Sequence, residues 1–355
     1  MNAGSNRIFY YDVLRVIAIL SVILLHVTGH VGEIMNYNVQ SIYSISGFYE
    51  TFANNFFRMG VDLFLMISGA LLLGQNWDVK SFFEKRIPRI AKPFLFWSLV
   101  FSIVLIMSSY FISGINFVDS FGILSFINVF LDTLLFKAPG SVVYWFFWIM
   151  IYVYMMMPFV NKWLNNSELI HVEYLLIVWL IFISIIYPLN NQYLNLLSDF
   201  ISPIALVVLG YYLRYSERRI FNNPVISAIL IIVSSVIMLL YSYSIVGTEI
   251  LFVFHRYSVL MVVLSIGVYC FVKSSNVVNN ASGKTTNVVS SIAMCSYGMY
   301  LIHSQLIMVT RKIFHLSSNF IFDYILLFLV GFFLSWLIMV IFAKIPIINE
   351  LIGVK

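Results

Sequence analysis

The chain has 355 residues, of which 61% are hydrophobic and only 10% charged, against about 25% charged in an average soluble domain. With a mean hydropathy of +0.96, its apolar residues exceed what a water-facing surface accommodates, which excludes a cytosolic globular enzyme, a disordered regulator and a nucleic-acid-binding protein. The net charge of +5 is a small basic excess, and in so apolar a chain it points to an uneven distribution of Lys and Arg across a membrane.

A spanning helix requires about 20 mostly apolar residues. In chain order the candidates are 12–29, 56–74, 91–112, 143–162, 172–188, 199–214, 224–245, 256–273, 290–310 and 322–343, ten spans in all. A further apolar stretch, 121–136, contains Asp132 and is bounded by polar residues; it reads as interfacial or re-entrant. The runs are too long and continuous for strands that alternate lipid and lumen faces. The expected fold is therefore an all-α integral membrane bundle, a single transmembrane domain over 1–355. The first span resembles a signal sequence, but no small-residue cleavage site follows it, so it is expected to be retained.

Ten spans place both termini on one side. With that side in the cytoplasm, only Arg58, Lys137, Arg256, Arg311 and Lys312 fall outside, and the remaining Lys and Arg, from Arg7 to Lys355, fall inside. The expected outer loops also hold Glu33, Glu50, Asp119 and Glu249.

Ionisable side chains within a bilayer are costly and usually functional. The first span reads YYDVLRVIAILSVILLHVTGH. At about 100° per residue, Asp12, Arg15 and His26 share one stripe, with His26 about 16 Å beyond Arg15 towards the outer half. Asp12 and Arg15 also suit an ion pair that reaches the interface, and His26 suits a hydrogen bond to a neighbouring helix. A histidine is equally the natural general base near neutral pH.

In the second span Asp62 follows Arg58 by four residues, the spacing of a helical ion pair, and Ser68 and Gly69 mark close helix packing. The connection to the third span, VKSFFEKRIPRIAKPF, carries Lys80, Lys85, Arg86, Arg89 and Lys92. It anchors the topology, and Lys85, Arg86 and Arg89 also suit phosphoryl oxygens. The run at 217–219 is a second candidate of the same kind. Trp145 and Trp148 fit an aromatic belt, and His255 and Arg256 an outer interface. In the ninth span Tyr297, Tyr300 and His303 recur at intervals of three on roughly one face. Cys270 and Cys295 lie in separate apolar segments and do not form a disulfide framework, and no residues show zinc-like spacing.

Taken together, Tyr11-Asp12-x-x-Arg15 with His26 ten residues further, GVDLFLMISGALL at 60–72, FFEKRIPRI at 82–90, YWFFWIMIYVYMMMP at 144–158 and SYGMYLIH at 296–303 resemble the integral-membrane acyltransferase-3 family, with its polysaccharide O-acetyltransferases and WecH-like surface-polysaccharide acyltransferases. The matches occur in the family's order along nearly the whole chain. One departure is Ser304, where many relatives have proline. The resemblance implies transfer of an acyl group, usually acetyl from cytoplasmic acetyl-CoA, to a hydroxyl of a cell-surface or lipid-linked glycan at the plasma membrane. It implies an essential role for His26, support from Arg15, and an acyl-donor side at Arg86 and Arg89; beside it, the residues suggest that Asp12 holds Arg15 and that Lys85 adds to the donor site. Ser68, Tyr300 and His303 are candidate substrate contacts, no metal is expected, and the partners are membrane lipids, acyl-CoA and the glycan. Whether His26 acts as base or as a transient acyl carrier is left open, as are the acceptor and the oligomeric state. The competing readings are a secondary transporter or flippase and a non-enzymatic scaffold. The prolines, read as lying mostly near helix ends, show no pattern of broken helices repeated in two halves.

Overall fold

The structure, a computed structural model, describes residues 8–34, 45–111, 122–189, 191–244, 254, 256–281, 283–314, 320–346 and 348–354. Arg7, Asp119, Glu249, His255 and Lys355 lie outside the described residues, as do the side chains of Glu33 and Glu50. Among the described residues the secondary structure is helical, without a strand. The helices are α1 (Phe9–Ile34), α2 (Ile45–Phe56), α3 (Met59–Leu72), α4 (Val79–Phe111), α5 (Ile123–Leu134), α6 (Trp145–Leu164), α7 (Leu169–Ile186), α8 (Gln192–Tyr215), α9 (Pro224–Ser244), α10 (Val259–Ser274), α11 (Asn276–Asn279), α12 (Gly283–Ile313), α13 (Phe320–Phe328) and α14 (Ser335–Phe342). A π-helical segment, Leu329–Leu334, joins the last two.

Nine helical segments among the described residues are long and apolar enough to cross a membrane, and each coincides with an expected span. The remaining expected span, 256–273, folds as α10, which has 16 residues. The 121–136 stretch folds as α5, whose 12 residues rise about 18 Å, short of a hydrocarbon core of about 30 Å.

The basic connection before the third span is not a loop. Its residues form the first turns of α4, a helix of 33 residues. Asp78 starts it: the carboxylate accepts the Ser81 N–H at 3.0 Å, which holds the acid below its usual range. Because α4 extends so far beyond its apolar core, Pro88 and Pro93 lie inside it, and Pro158 and Pro203 lie inside α6 and α8. The expectation that prolines sit mostly near helix ends is corrected, and the argument it carried against a transporter lapses.

The chain divides into two compact units. The first comprises Met1–Asn76, Met156–Ala293 and Ser317–Tyr324. In it α3 and α8 cross backbone to backbone. A Cβ at Gly69 would lie 1.8 Å from the Val207 carbonyl oxygen, and one at Gly210 would lie 1.9 Å from that of Met66. Only glycine on both helices permits this approach. α1 packs against α3.

At one end of this unit three helix C-termini exchange cations. Arg214, in the last turn of α8, donates to the Ala70 carbonyl of α3. Lys273, in the last turn of α10, donates to the Leu213 carbonyl of α8 at 2.6 Å. These bonds satisfy carbonyls that a helix end leaves open and place positive charge at the negative dipole ends. The first turn of α1 meets the same end, where Tyr10 packs edge-on against Tyr269 of α10. Helices that the Lys and Arg distribution runs outward thus start where those it runs inward finish.

The second unit comprises Trp77–Met155, Met294–Leu316 and Ile325–Lys355. Phe101 and Leu105 of α4, Ala138 and Met308 of α12 form a buried cluster. Phe94 stacks on Phe147 with ring centroids 3.7 Å apart. The chain after α14 returns to α4, where the Trp97 indole donates to the Ile352 carbonyl at 3.2 Å.

Candidate active site

α1 runs without interruption from Phe9 to Ile34, so Asp12, Arg15 and His26 lie on one helix. Asp12 is almost sealed, at 1% exposure, and Arg15 reaches outward at 31%. The Arg15 guanidinium donates to Asp12 Oδ1 at 3.1 Å. The other oxygen, Oδ2, accepts the Ser290 hydroxyl of α12 at 2.9 Å. A buried carboxylate thus fixes a half-exposed guanidinium, and a hydroxyl from another helix fixes the carboxylate. Ser290 was not anticipated; a serine in an apolar helix gives no periodic or charge signal. His26 is half-buried on the same helix, three turns beyond Arg15 and about 16 Å along the axis.

Asp62 does not form the expected pair with Arg58. The helix is interrupted between α2 and α3, and Arg58 sits at that break, donating to the Asn54 carbonyl at 3.0 Å. The Asp62 carboxylate is fully buried and accepts the Ser265 hydroxyl of α10 at 3.1 Å. Ser68 is half-buried and donates to the Phe64 carbonyl of its own helix at 2.8 Å. Its hydroxyl is a local backbone bond of a kind common in apolar helices.

The basic residues of α4 divide into two sets. Lys80 pairs with Glu84 at 3.9 Å and Lys92 with Glu350 at 3.3 Å. Lys85, Arg86 and Arg89 have no carboxylate partner among the described residues. Arg86 is half-buried, with Tyr154 and Arg89 as electrostatic neighbours, and Lys85 and Arg89 are exposed. No carboxylate among the described residues neutralises these three charges. The second candidate, at 217–219, differs: Arg218 is clasped by Glu173 of α7 at 2.7 Å, a contact that raises its guanidinium further above the ordinary range.

Tyr300 and His303 are buried in the second unit. The Tyr300 hydroxyl donates to the Val143 carbonyl. His303 Nδ1 lies 2.8 Å from the Tyr300 carbonyl and 3.2 Å from that of Met299. Both neighbours are acceptors, so Nδ1 carries the proton. Tyr297 donates to the Ile90 carbonyl of α4 at 2.8 Å. Cys270 and Cys295 are buried free thiols. Among the described residues no group of three or more His, Cys, Asp or Glu side chains is arranged to hold a metal ion.

Asp12, Arg15, His26 and Ser68 therefore belong to the first unit, and Lys85, Arg86, Arg89, Tyr300 and His303 to the second. The long apolar helices are those of a multi-pass membrane protein. Residues 8–344 match the sequence model of the acyltransferase-3 family, described as an acyltransferase domain. The chain belongs to this family. No curated protein and no solved structure matches it.

Proposed function

We propose that this acyltransferase moves an acyl group, acetyl first among the choices, from cytoplasmic acyl-CoA to a hydroxyl of a cell-surface or lipid-linked glycan at the plasma membrane. The WecH-like surface-polysaccharide enzymes are the relatives whose chemistry this reading follows. The observation that carries it is the α1 stripe, in which Arg15 is held by Asp12 at 3.1 Å on the helix that bears His26.

A sugar hydroxyl is a poor nucleophile at neutral pH and needs a base. In this reading His26 takes the proton of the acceptor hydroxyl as its oxygen bonds to the thioester carbonyl carbon. Arg15, about 16 Å back along α1, holds the donor away from its thioester and orients it. The carbon–sulfur bond then breaks, and His26 returns the proton to the departing thiolate, leaving the ester and free CoA. Asp12 acts through Arg15, as a positioning residue. Lys85, Arg86 and Arg89 fit the donor because their charges are not neutralised by carboxylates, and guanidinium forks match phosphate geometry.

Mass spectrometry of surface glycans from cells with and without the gene tests the proposal. An added acyl mass found only with the gene identifies the acyl group and the acceptor together. Identical glycan masses, with the protein present in the membrane, would overturn the assignment.

A further inference from the structure

In the first unit Arg58 is a cation without a counter-charge. It is half-buried at the break between α2 and α3, inside the apolar segment Thr51–Leu72. Its Nε donates to the Asn54 carbonyl at 3.0 Å. Among the described residues no carboxylate pairs with its terminal nitrogens. Its charged neighbour is a second cation, Arg256. Buried Asn55 ties the two segments together, since its Oδ1 accepts the Phe254 N–H at 2.8 Å. Arg256 also neighbours Asp62, whose sealed carboxylate accepts the Ser265 hydroxyl at 3.1 Å.

The break stands level with His26. α3 ends at the Arg214 and Lys273 end of the unit, where the first turn of α1 begins. The two helices therefore run in opposite directions. They touch at Gly60, where a Cβ would lie 2.6 Å from the Ala18 carbonyl oxygen and 3.0 Å from Val22 Cγ2. Arg58 is two residues before Gly60, and His26 is four residues after Val22. Both leave the contact towards the same end, by about 3 Å and about 6 Å along their axes. One bound molecule can meet both side chains.

An unneutralised guanidinium in a membrane span is costly, and a cation beside it adds repulsion. An anion bound there relieves both. The guanidinium fork suits two oxygens of a carboxylate or a phosphate. In the reading above, the molecule at His26 is the acceptor, and the donor phosphates belong to Lys85, Arg86 and Arg89.

We propose that Arg58, with Arg256 beside it, binds an anionic group of the acceptor glycan, a phosphate ester or a sugar carboxylate, next to the hydroxyl that His26 deprotonates. The substrate class is then an anionic glycan; this rests on the acyl-transfer reading above. Membranes holding the full-length protein are given labelled acetyl-CoA, and the labelled glycans are separated by anion exchange. The label is expected in the anionic fraction. Phosphate-ester cleavage moves it to the neutral fraction if the anion is a phosphate, and carboxyl reduction does so if it is a carboxylate. Arg58→Gln lowers labelling at limiting acceptor by about tenfold or more, and Arg58→Lys, which keeps the charge without the fork, restores part of it. Arg256→Gln moves labelling in the same direction and serves as the test if Arg58→Gln does not fold. Label confined to neutral glycans overturns the site, as does wild-type labelling by folded Arg58→Gln. If that variant instead loses only the stabilisation given by anionic-lipid nanodiscs, Arg58 binds lipid headgroups and the site is likewise overturned. No labelled glycan in wild-type membranes overturns the acyl-transfer reading itself, which separates the two failures.

Discussion

Asp12 grips Arg15 at 3.1 Å one turn along α1, from a position that is itself buried. The arrangement is asymmetric: the carboxylate is sealed and the guanidinium reaches outward. From that sealed position Asp12 holds both Arg15 and Ser290. Asp12→Ala removes the carboxylate that both donate to. Because Arg15 is partly solvated, the loss of stability falls below that of a sealed ion pair, at about 1–3 kcal/mol. Transfer activity is expected to fall further than stability explains, and Asp12→Glu to restore part of it. Denaturation and transfer rates measured on the same preparations check this. Equal activity in Asp12→Ala and wild type would remove Asp12 from the site.

The crossing of α3 and α8 makes a separate prediction about folding. A Cβ at Gly69 or Gly210 would lie within 2 Å of a backbone carbonyl oxygen, which no side-chain rotation relieves. Gly69→Ala and Gly210→Ala are each expected to destabilise by about 3 kcal/mol or more. Gly29 supplies the control, since a Cβ there meets nothing within 4 Å. Gly29→Ala is expected to leave the thermal midpoint of the detergent-purified protein unchanged or slightly raised. Equal effects at the three positions would contradict the crossing.

Tyr300 presents a different case. Its buried hydroxyl is bonded to the Val143 carbonyl, which points to a stabilising role for a side chain that the sequence pattern also offered as a substrate contact. Tyr300→Phe is expected to lower stability by about 1–2 kcal/mol and to leave transfer per folded molecule unchanged. Thermal unfolding together with transfer assays in membranes distinguishes the roles. A stable variant with impaired transfer would return Tyr300 to the substrate.

The spans were legible because an apolar run of about 20 residues has few other destinations. The stripe of Asp12, Arg15 and His26 was legible because helical periodicity alone places residues three and eleven apart on one side. The start of α4 was not: a segment with five cations and two prolines reads as a loop, yet Asp78 caps it and the helix tolerates Pro88 and Pro93. Ser290 and Ser265 were not legible either. Each contributes a single hydroxyl to a carboxylate more than 200 positions away in the chain, Asp12 and Asp62 respectively. Such contacts follow from packing, which leaves no local pattern.

The central claim is that His26 performs the chemistry that Arg15 supports. The direct measurement is the transfer of labelled acetyl from acetyl-CoA to membrane glycans by wild type and by His26→Ala, with thermal unfolding confirming that the variant is folded. Loss of a positioned general base predicts a rate lower by at least about a hundredfold. A folded His26→Ala protein that transfers acetyl at the wild-type rate would contradict the account.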